Sequence, residues 1–274
     1  MMQYVQIVIE ADESGQERLI ALLNEMNATG FEQTEEELTA YFDEASYVSA
    51  DVIQALKEYT YTIQILQEQN WNALWESNFD PVVIGRFCGV RAQFHAPISN
   101  VLHEIIITPK MSFGTGHHAT TFMMIEQMQH ISFSNKTVLD FGTGTGILAI
   151  LAERLGASLV TAIDIDRWSI DNAKENIENN SCRNIQLVQS SSLPRIQYDI
   201  VLANINKNII LDSLPALKAC TSDNGFLILS GLLECDEAEI RDACSAHGLT
   251  FVNSRIESKW KLLMFTNSRP EVVH

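Results

Sequence analysis

The chain is poor in cations. Its 274 residues include 18 Lys and Arg against 35 Asp and Glu, a formal net charge of -17 at pH 7. Proteins that grip nucleic acid neutralise phosphates with basic side chains, so this balance excludes stable nucleic-acid binding and points to a basic partner. Long apolar runs are also missing, since none approaches the ~20 residues that cross a bilayer. The start, MMQYVQIVIEADE, lacks a basic segment followed by an apolar one, so no secretory leader and no membrane association are expected. Cys88, Cys182, Cys220, Cys235 and Cys244 form no CxxC pair, and no histidine stands at metal-ligand spacing. Reduced thiols, a cytoplasmic location and no metal are expected. What is present, 46% hydrophobic and 19% charged residues, is an ordinary globular composition.

The negative charge is unevenly spread. Residues 1–70 hold 14 acidic side chains and two basic ones, Arg18 and Lys57, a balance of -12 out of the total of -17. Such a segment is either a solvated surface or an acidic docking module.

The same 70 residues read as alternating short elements. Tyr4 to Ile9 alternates as a strand, and Gln16 to Met26 places Leu19, Ile20, Leu22, Leu23 and Met26 on one helical face, with Gly30 able to end the helix. Phe31 to Thr34 and Glu37 to Phe42 predict a hairpin, Ala45 to Tyr59 a second helix, and Thr60 to Leu66 a fourth strand. The order β-α-β-β-α-β is a ferredoxin-like α+β pattern, assigned to residues 1–66. Residues 67–110 read as a connecting region. It opens with a short helix carrying Trp71 and Trp75, and Pro81, Pro97 and Pro109 divide the rest.

From residue 111 to 274 the pattern changes to a doubly wound α/β domain. Strands are expected at Val138 to Phe141, Leu159 to Asp164, Ile185 to Gln189, Asp199 to Asn204 and Gly225 to Ser230, with helices between them. Thr250 to Ile256 and Trp260 to Thr266 follow one another without a helix. A mostly parallel seven-stranded sheet ending in an antiparallel hairpin is therefore expected.

Val138-Leu139-Asp140-Phe141-Gly142-Thr143-Gly144-Thr145-Gly146 places three glycines at a strand-to-helix turn. Without Cβ atoms the backbone can turn tightly and approach a ligand, with helix N-terminal amides aimed at it. Dinucleotide enzymes use G-x-G-x-x-G at this place, whereas the spacing here is G-x-G-x-G. Eighteen residues beyond Gly146, at the next strand end, stands Asp164, a carboxylate placed to accept two ribose hydroxyls. Together these features imply a nucleoside cofactor, and Asp166 is expected to cap the following helix.

These residues resemble the class I S-adenosylmethionine-dependent methyltransferases, whose first motif and second-strand acid look like VLDFGTGTG and AIDID. Met111-Ser112-Phe113-Gly114-Thr115-Gly116-His117-His118-Ala119-Thr120-Thr121 is similar to the pre-core motif of the ribosomal protein L-eleven methyltransferases. Val201-Leu202-Ala203-Asn204-Ile205 resembles their fourth-strand motif. The resemblance spans the chain and implies a catalytic Asn204 and cofactor contacts at Thr121, Gly142, Asp164 and Asn204. Gly144 is added on backbone grounds, and Phe113 is expected to cover the cofactor. It further implies S-adenosylmethionine as cofactor and methylation of lysine side chains and the N-terminal amine of a basic ribosomal protein, L-eleven, free of the ribosome. A monomer is expected.

Adjacent His117 and His118 have no accompanying carboxylate or cysteine cluster, so no metal is assigned to them, and His118 is expected to fix its loop by hydrogen bonding. The run Asn204-Ile205-Asn206-Lys207 lacks the (Asn/Asp)-Pro-Pro-aromatic motif seen in relatives that methylate amides or bases, which favours an amine acceptor. Two rival readings remain: a small-molecule methyltransferase with an unrelated N-terminal domain, and a non-enzymatic binding module. The second would be expected to lose Asp164 or Asn204.

Overall fold

A computed structural model describes residues 3–34, 36–43, 47–67, 80–108 and 114–268. Contacts divide the chain into two compact units, residues 1–79 and 80–274. The expected Trp71/Trp75 helix, Phe113 and the start of the pre-core motif lie outside the described residues.

In the first unit, β1 (Gln3–Glu10), α1 (Glu13–Glu25), β2 (Gly30–Gln33), β3 (Glu37–Asp43), α2 (Ser49–Ala55) and β4 (Tyr61–Gln67) form the β-α-β-β-α-β order. The strands are antiparallel in the order β2-β3-β1-β4. Strand alternation sends Val5, Ile7, Ile9, Leu38, Ala40 and Phe42 to one face, where Leu19 and Leu23 of α1 and Val52 of α2 bury them. Each of these side chains other than Ala40 contributes about 1.5–3 kcal/mol on burial. Asp12 caps α1 by accepting from the Gly15 amide at 2.8 Å. The helix ends earlier than Gly30 would have ended it: Asn27 takes the left-handed conformation (φ 65°) and the Ala28 amide returns to the Leu23 carbonyl.

The second unit begins with β5 (Val82–Ile84), β6 (Cys88–Ala92) and β7 (His103–Ile107), a three-stranded sheet. The sequence pattern puts the end of the connecting region at residue 110, whereas the division between Phe79 and Asp80 joins β5–β7 to the α/β domain. The cause is a set of hydrogen bonds that no local pattern announces, from a later helix to the free edge of β7.

The main sheet comprises β8 (Thr137–Phe141), β9 (Leu159–Asp164), β10 (Ile185–Gln189), β11 (Tyr198–Asn204), β12 (Thr221–Leu233), β13 (Thr250–Glu257) and β14 (Trp260–Thr266). Their order is β10-β9-β8-β11-β12-β14-β13, parallel except at β14, which runs antiparallel to both β12 and β13. Helix α3 (Ala119–Met128) precedes the sheet, and helices α4 (Ile147–Arg154), α5 (Arg167–Asn179), α6 (Lys207–Cys220) and α7 (Glu237–Ala246) connect its strands as expected. The sequence pattern does not single out α3; Thr120, Thr121, Met123, Met124, Ile125, Gln127 and Met128 are all buried, which blurs the amphipathic period. Among the described residues no helix is long and apolar enough to cross a membrane.

The chain winds outward from β8 through β9 to β10, then returns to the other side of β8 with β11. That reversal opens a crevice beyond the carboxyl ends of β8 and β11, the place where open α/β sheets bind ligands. At the opposite, amino ends of these two strands, Asp199 ties β11 to β8: its carboxylate accepts from the amide (2.8 Å) and hydroxyl (3.0 Å) of Thr137.

Candidate active site

The glycine turn leaves β8 directly above this crevice. Gly142, Gly144 and Gly146 have φ of 77°, 56° and 81°, the left-handed region in which a side chain is strained. The amides of Gly142 and Thr143 both donate to the Ile163 carbonyl, at 2.8 and 2.9 Å, which stitches the turn to β9. A Cβ on Gly142 would lie 2.2 Å from Ile205 Cγ2, so absence of a side chain is also a matter of space.

Asp164 ends β9 facing the turn. Its Oδ2 accepts from the Gly144 amide at 2.9 Å and its Oδ1 from the Asp166 amide at 3.0 Å. Each oxygen keeps further acceptor capacity. A carboxylate held this way can receive a pair of vicinal hydroxyls without reorganising. Asp166 caps α5 as expected, accepting from the amides of Trp168 and Ser169. Asp140, fully buried beneath the turn, accepts from the Thr143 hydroxyl at 2.6 Å. Burial pushes its carboxyl up to about 7, with the nearby Asp164 charge adding to the rise and the Thr143 bond opposing it.

Asn204 ends β11 on the other side of the crevice. Its Nδ2 donates to the Thr121 hydroxyl at 3.2 Å, while its Oδ1 is buried with no partner. A buried acceptor left unpaired costs about 1–3 kcal/mol, so this atom is poised for a donor. Thr121 is itself fully buried and reaches the crevice through Asn204.

Together these groups enclose a cavity of about 590 Å³, lined by Gly142, Gly144, Asp164, Asn204, Ile205 and Trp260 among others. That is within the range of a nucleoside-sized ligand pocket. Ile165, 69% exposed on the wall next to Asp164, offers an apolar plate for a planar base. The structure therefore brings Gly142, Gly144, Asp164 and Asn204 to one cavity, with Thr121 behind it. His118 caps α3, accepting from the Thr120 amide at 3.4 Å, and its ring meets Trp260 edge to face at 4.6 Å. His117 turns elsewhere, to the Asp80 carbonyl at 2.8 Å.

A family profile described as ribosomal protein L11 methyltransferase (PrmA) matches residues 3–268. A protein of that name from Porphyromonas gingivalis is 38% identical over 270 residues, covering 94% of this chain and 93% of the relative. Another from Chlorobaculum parvum is 33% identical and covers 94% of each. The chain belongs to the ribosomal protein L11 methyltransferase family. A crystal structure of a ribosomal protein L11 methylase from Lactobacillus delbrueckii subsp. bulgaricus superposes with a TM-score of 0.65 at 28% identity, covering 70% of this chain and all of the other.

Members of this family are methyltransferases, and the methyl donor is S-adenosylmethionine. Its sulfonium supplies an activated methyl and a neutral leaving group. The cavity fits it: the glycine turn leaves room that a Cβ would fill, and the Asp164 carboxylate matches a ribose. Ile205, which the fourth-strand motif includes without a role, also shapes the cavity, as do Gly231 and Trp260, to which no sequence motif points. Gly231 has φ 84° and a Cβ there would lie 2.2 Å from the Ile205 carbonyl oxygen. In the sequence Trp260 is legible only as a strand residue, because nothing local says that β14 returns beside β12.

Proposed function

We propose that this methyltransferase acts on ribosomal protein L11, as a monomer in the cytoplasm, modifying lysine side chains and the N-terminal amine of the protein while it is free of the ribosome. In this reading residues 80–274 are the catalytic unit and the N-terminal unit recognises the substrate. Asp164 receives the ribose hydroxyls, Gly142 and Gly144 admit the cofactor against the backbone, and Thr121 holds Asn204.

The observation that carries an amine acceptor is the unpartnered Oδ1 of Asn204 at the cavity wall. Methyl transfer from a sulfonium is an in-line displacement, so the protein's task is mainly alignment. A lysine ammonium has no lone pair and an ordinary pKa near 10.4, so it must lose a proton before attacking. Desolvation in the slot lowers that pKa, solvent takes the proton, and the Asn204 carbonyl then accepts one amine N–H and aims the lone pair.

The charge of the N-terminal unit supports a basic protein substrate. Alternation that buries Ile9 and Leu38 turns Glu10 and Glu37 to the face of the sheet opposite α1 and α2, directly across from one another, and Glu32 is exposed beside them. Like charges so paired are destabilising. Arg18 and Lys57 stand on or beside the helices that cover the other face. A small-molecule substrate would leave this acidic face without a role.

Mass spectrometry of purified L11 incubated with the enzyme and S-adenosylmethionine tests the assignment. Added methyl groups on lysines and the amino terminus are expected. Methylation of a metabolite with none on L11 would overturn it.

A further inference from the structure

Among the described residues, strand β7 pairs with β6 on one side only. Its other edge is not left to solvent. Asn172, Asn176 and Asn180, spaced four apart along α5 and its C-terminal cap and all buried, offer it side-chain amides instead. Asn180 Oδ1 accepts from the Ile106 amide at 2.9 Å and its Nδ2 donates to the Ile106 carbonyl at 2.6 Å. Asn176 Oδ1 accepts from the Thr108 amide at 2.7 Å, and Asn172 Nδ2 donates to the Thr108 carbonyl at 3.4 Å. The geometry is commensurate: four helical residues advance about 6.0 Å and two strand residues about 6.6 Å. The asparagines thus replace a missing neighbouring strand.

Asn176 does more than its two companions. Its Nδ2 also donates to the Thr145 carbonyl at 2.8 Å, besides bonding Asn172 Oδ1 at 2.7 Å. Thr145 lies between Gly144, whose amide holds Asp164, and Gly146, where α4 starts. The Thr145 hydroxyl in turn donates to the Gly114 carbonyl at 2.5 Å. Close packing of α5 on the turn is independent of these bonds: a Cβ on Gly146 would lie 3.2 Å from that of Ala173. Both Nδ2 hydrogens and the oxygen of the Asn176 side chain are engaged, and Asn176 is not among the residues that line the cavity.

We propose that Asn176 is a positioning residue for the cofactor, holding the Thr145 carbonyl so that the Gly144 amide and Asp164 keep their relative placement. This rests on S-adenosylmethionine as the cavity's ligand. Asn180 supplies the matched control, because it bonds the same strand edge from the same helix face without touching the glycine turn.

Asn176→Asp and Asn180→Asp each keep an oxygen for the β7 amide, lose the donors and bury a carboxyl at comparable depth. Titration of each variant with S-adenosylhomocysteine, alongside its Tm, separates positioning from bare stability. With similar falls in Tm, Asn176→Asp is expected to bind roughly tenfold more weakly than Asn180→Asp, the effect of one strained buried polar contact. The KM for S-adenosylmethionine should rise with it, while kcat at saturation differs far less between the two. If either aspartate variant fails to fold, the Asn176→Ala and Asn180→Ala pair is read the same way. Equal weakening in the two variants, or none in either, overturns the proposal. An unaltered enzyme that binds no S-adenosylhomocysteine would instead overturn the cofactor reading beneath it.

Discussion

The Asn204 side-chain amide donates to the Thr121 hydroxyl at 3.2 Å across 83 residues of sequence, joining the end of β11 to the first turn of α3. That bond leaves the Asn204 carbonyl oxygen unpartnered at the cavity wall, where the proposed mechanism has the incoming amine donate. Thr121→Val keeps the shape and removes the acceptor, which should lower kcat with little change in the KM for S-adenosylmethionine. Thr121→Ser should restore it. Asn204→Ala should cost on the order of 100-fold in kcat, the scale of lost alignment. Near-normal turnover in Asn204→Ala would remove Asn204 from the reaction.

Ile205 is pressed by two glycines in different ways, and a double substitution distinguishes them. An alanine at 142 meets the Ile205 side chain, whereas one at 231 meets its backbone carbonyl, each at 2.2 Å. Both also carry about 1–2 kcal/mol for placing a side chain at positive φ. Ile205→Ala should therefore recover part of the Tm lost by Gly142→Ala and none of that lost by Gly231→Ala. Equal recovery would mean that the two contacts are alike.

Asp140 should make stability pH-dependent. Below about pH 4 the carboxyl is protonated in folded and unfolded chains alike. As pH rises, the unfolded chain ionises first while burial keeps the folded carboxyl protonated up to about 7, so the folded state loses stability across that window. Asp140→Asn should abolish this slope, with its Tm rising relative to the unaltered protein from pH 4 to 8 by several degrees. Melting curves that run parallel over that range would contradict the assignment.

The acidic face predicts a charge effect that depends on place. Glu10→Gln with Glu37→Gln should raise the KM for L11 and flatten the salt dependence of association, leaving the KM for S-adenosylmethionine unchanged. Glu17→Gln with Glu58→Gln removes the same net charge from the helical side. Stopped-flow association rates at 50 and 300 mM salt compare the two pairs, and the salt range is chosen because the Debye length shortens across it. Identical effects would reduce the charge to a general property of the surface.

Much of the architecture was legible in the sequence because it depends on periodicities of two and 3.6 residues. Both strands of the terminal hairpin, the helices between the central strands and the central strands themselves fell close to their observed bounds, except β12, expected at Gly225 to Ser230 and observed over Thr221–Leu233. The exceptions have physical causes. Helix α3 buries too much of its circumference to show an apolar stripe, and the first helix stops at Asn27, whose left-handed backbone closes it before Gly30 is reached. Strands β5–β7 looked like a linker because their short, proline-broken pieces carry no hint of the asparagines on α5.

The glycine turn and Asp164 are legible in the sequence because local chemistry sets them, Asn204 is implied by the resemblance of its fourth-strand motif, and Gly142, Gly144, Asp164 and Asn204 all line one cavity. Turns at positive φ require glycine, and a strand that ends in a carboxylate or an amide presents that group at the sheet's carboxyl edge. Only the tertiary structure decided that Thr121 supports Asn204, that Gly231 and Gly142 crowd Ile205 from two sides, that Trp260 returns to the cavity wall and that Asn176 joins β7 to the turn. Those pairings depend on strand order and helix placement, which bring residues far apart in the chain within van der Waals reach, and no local period encodes that distance.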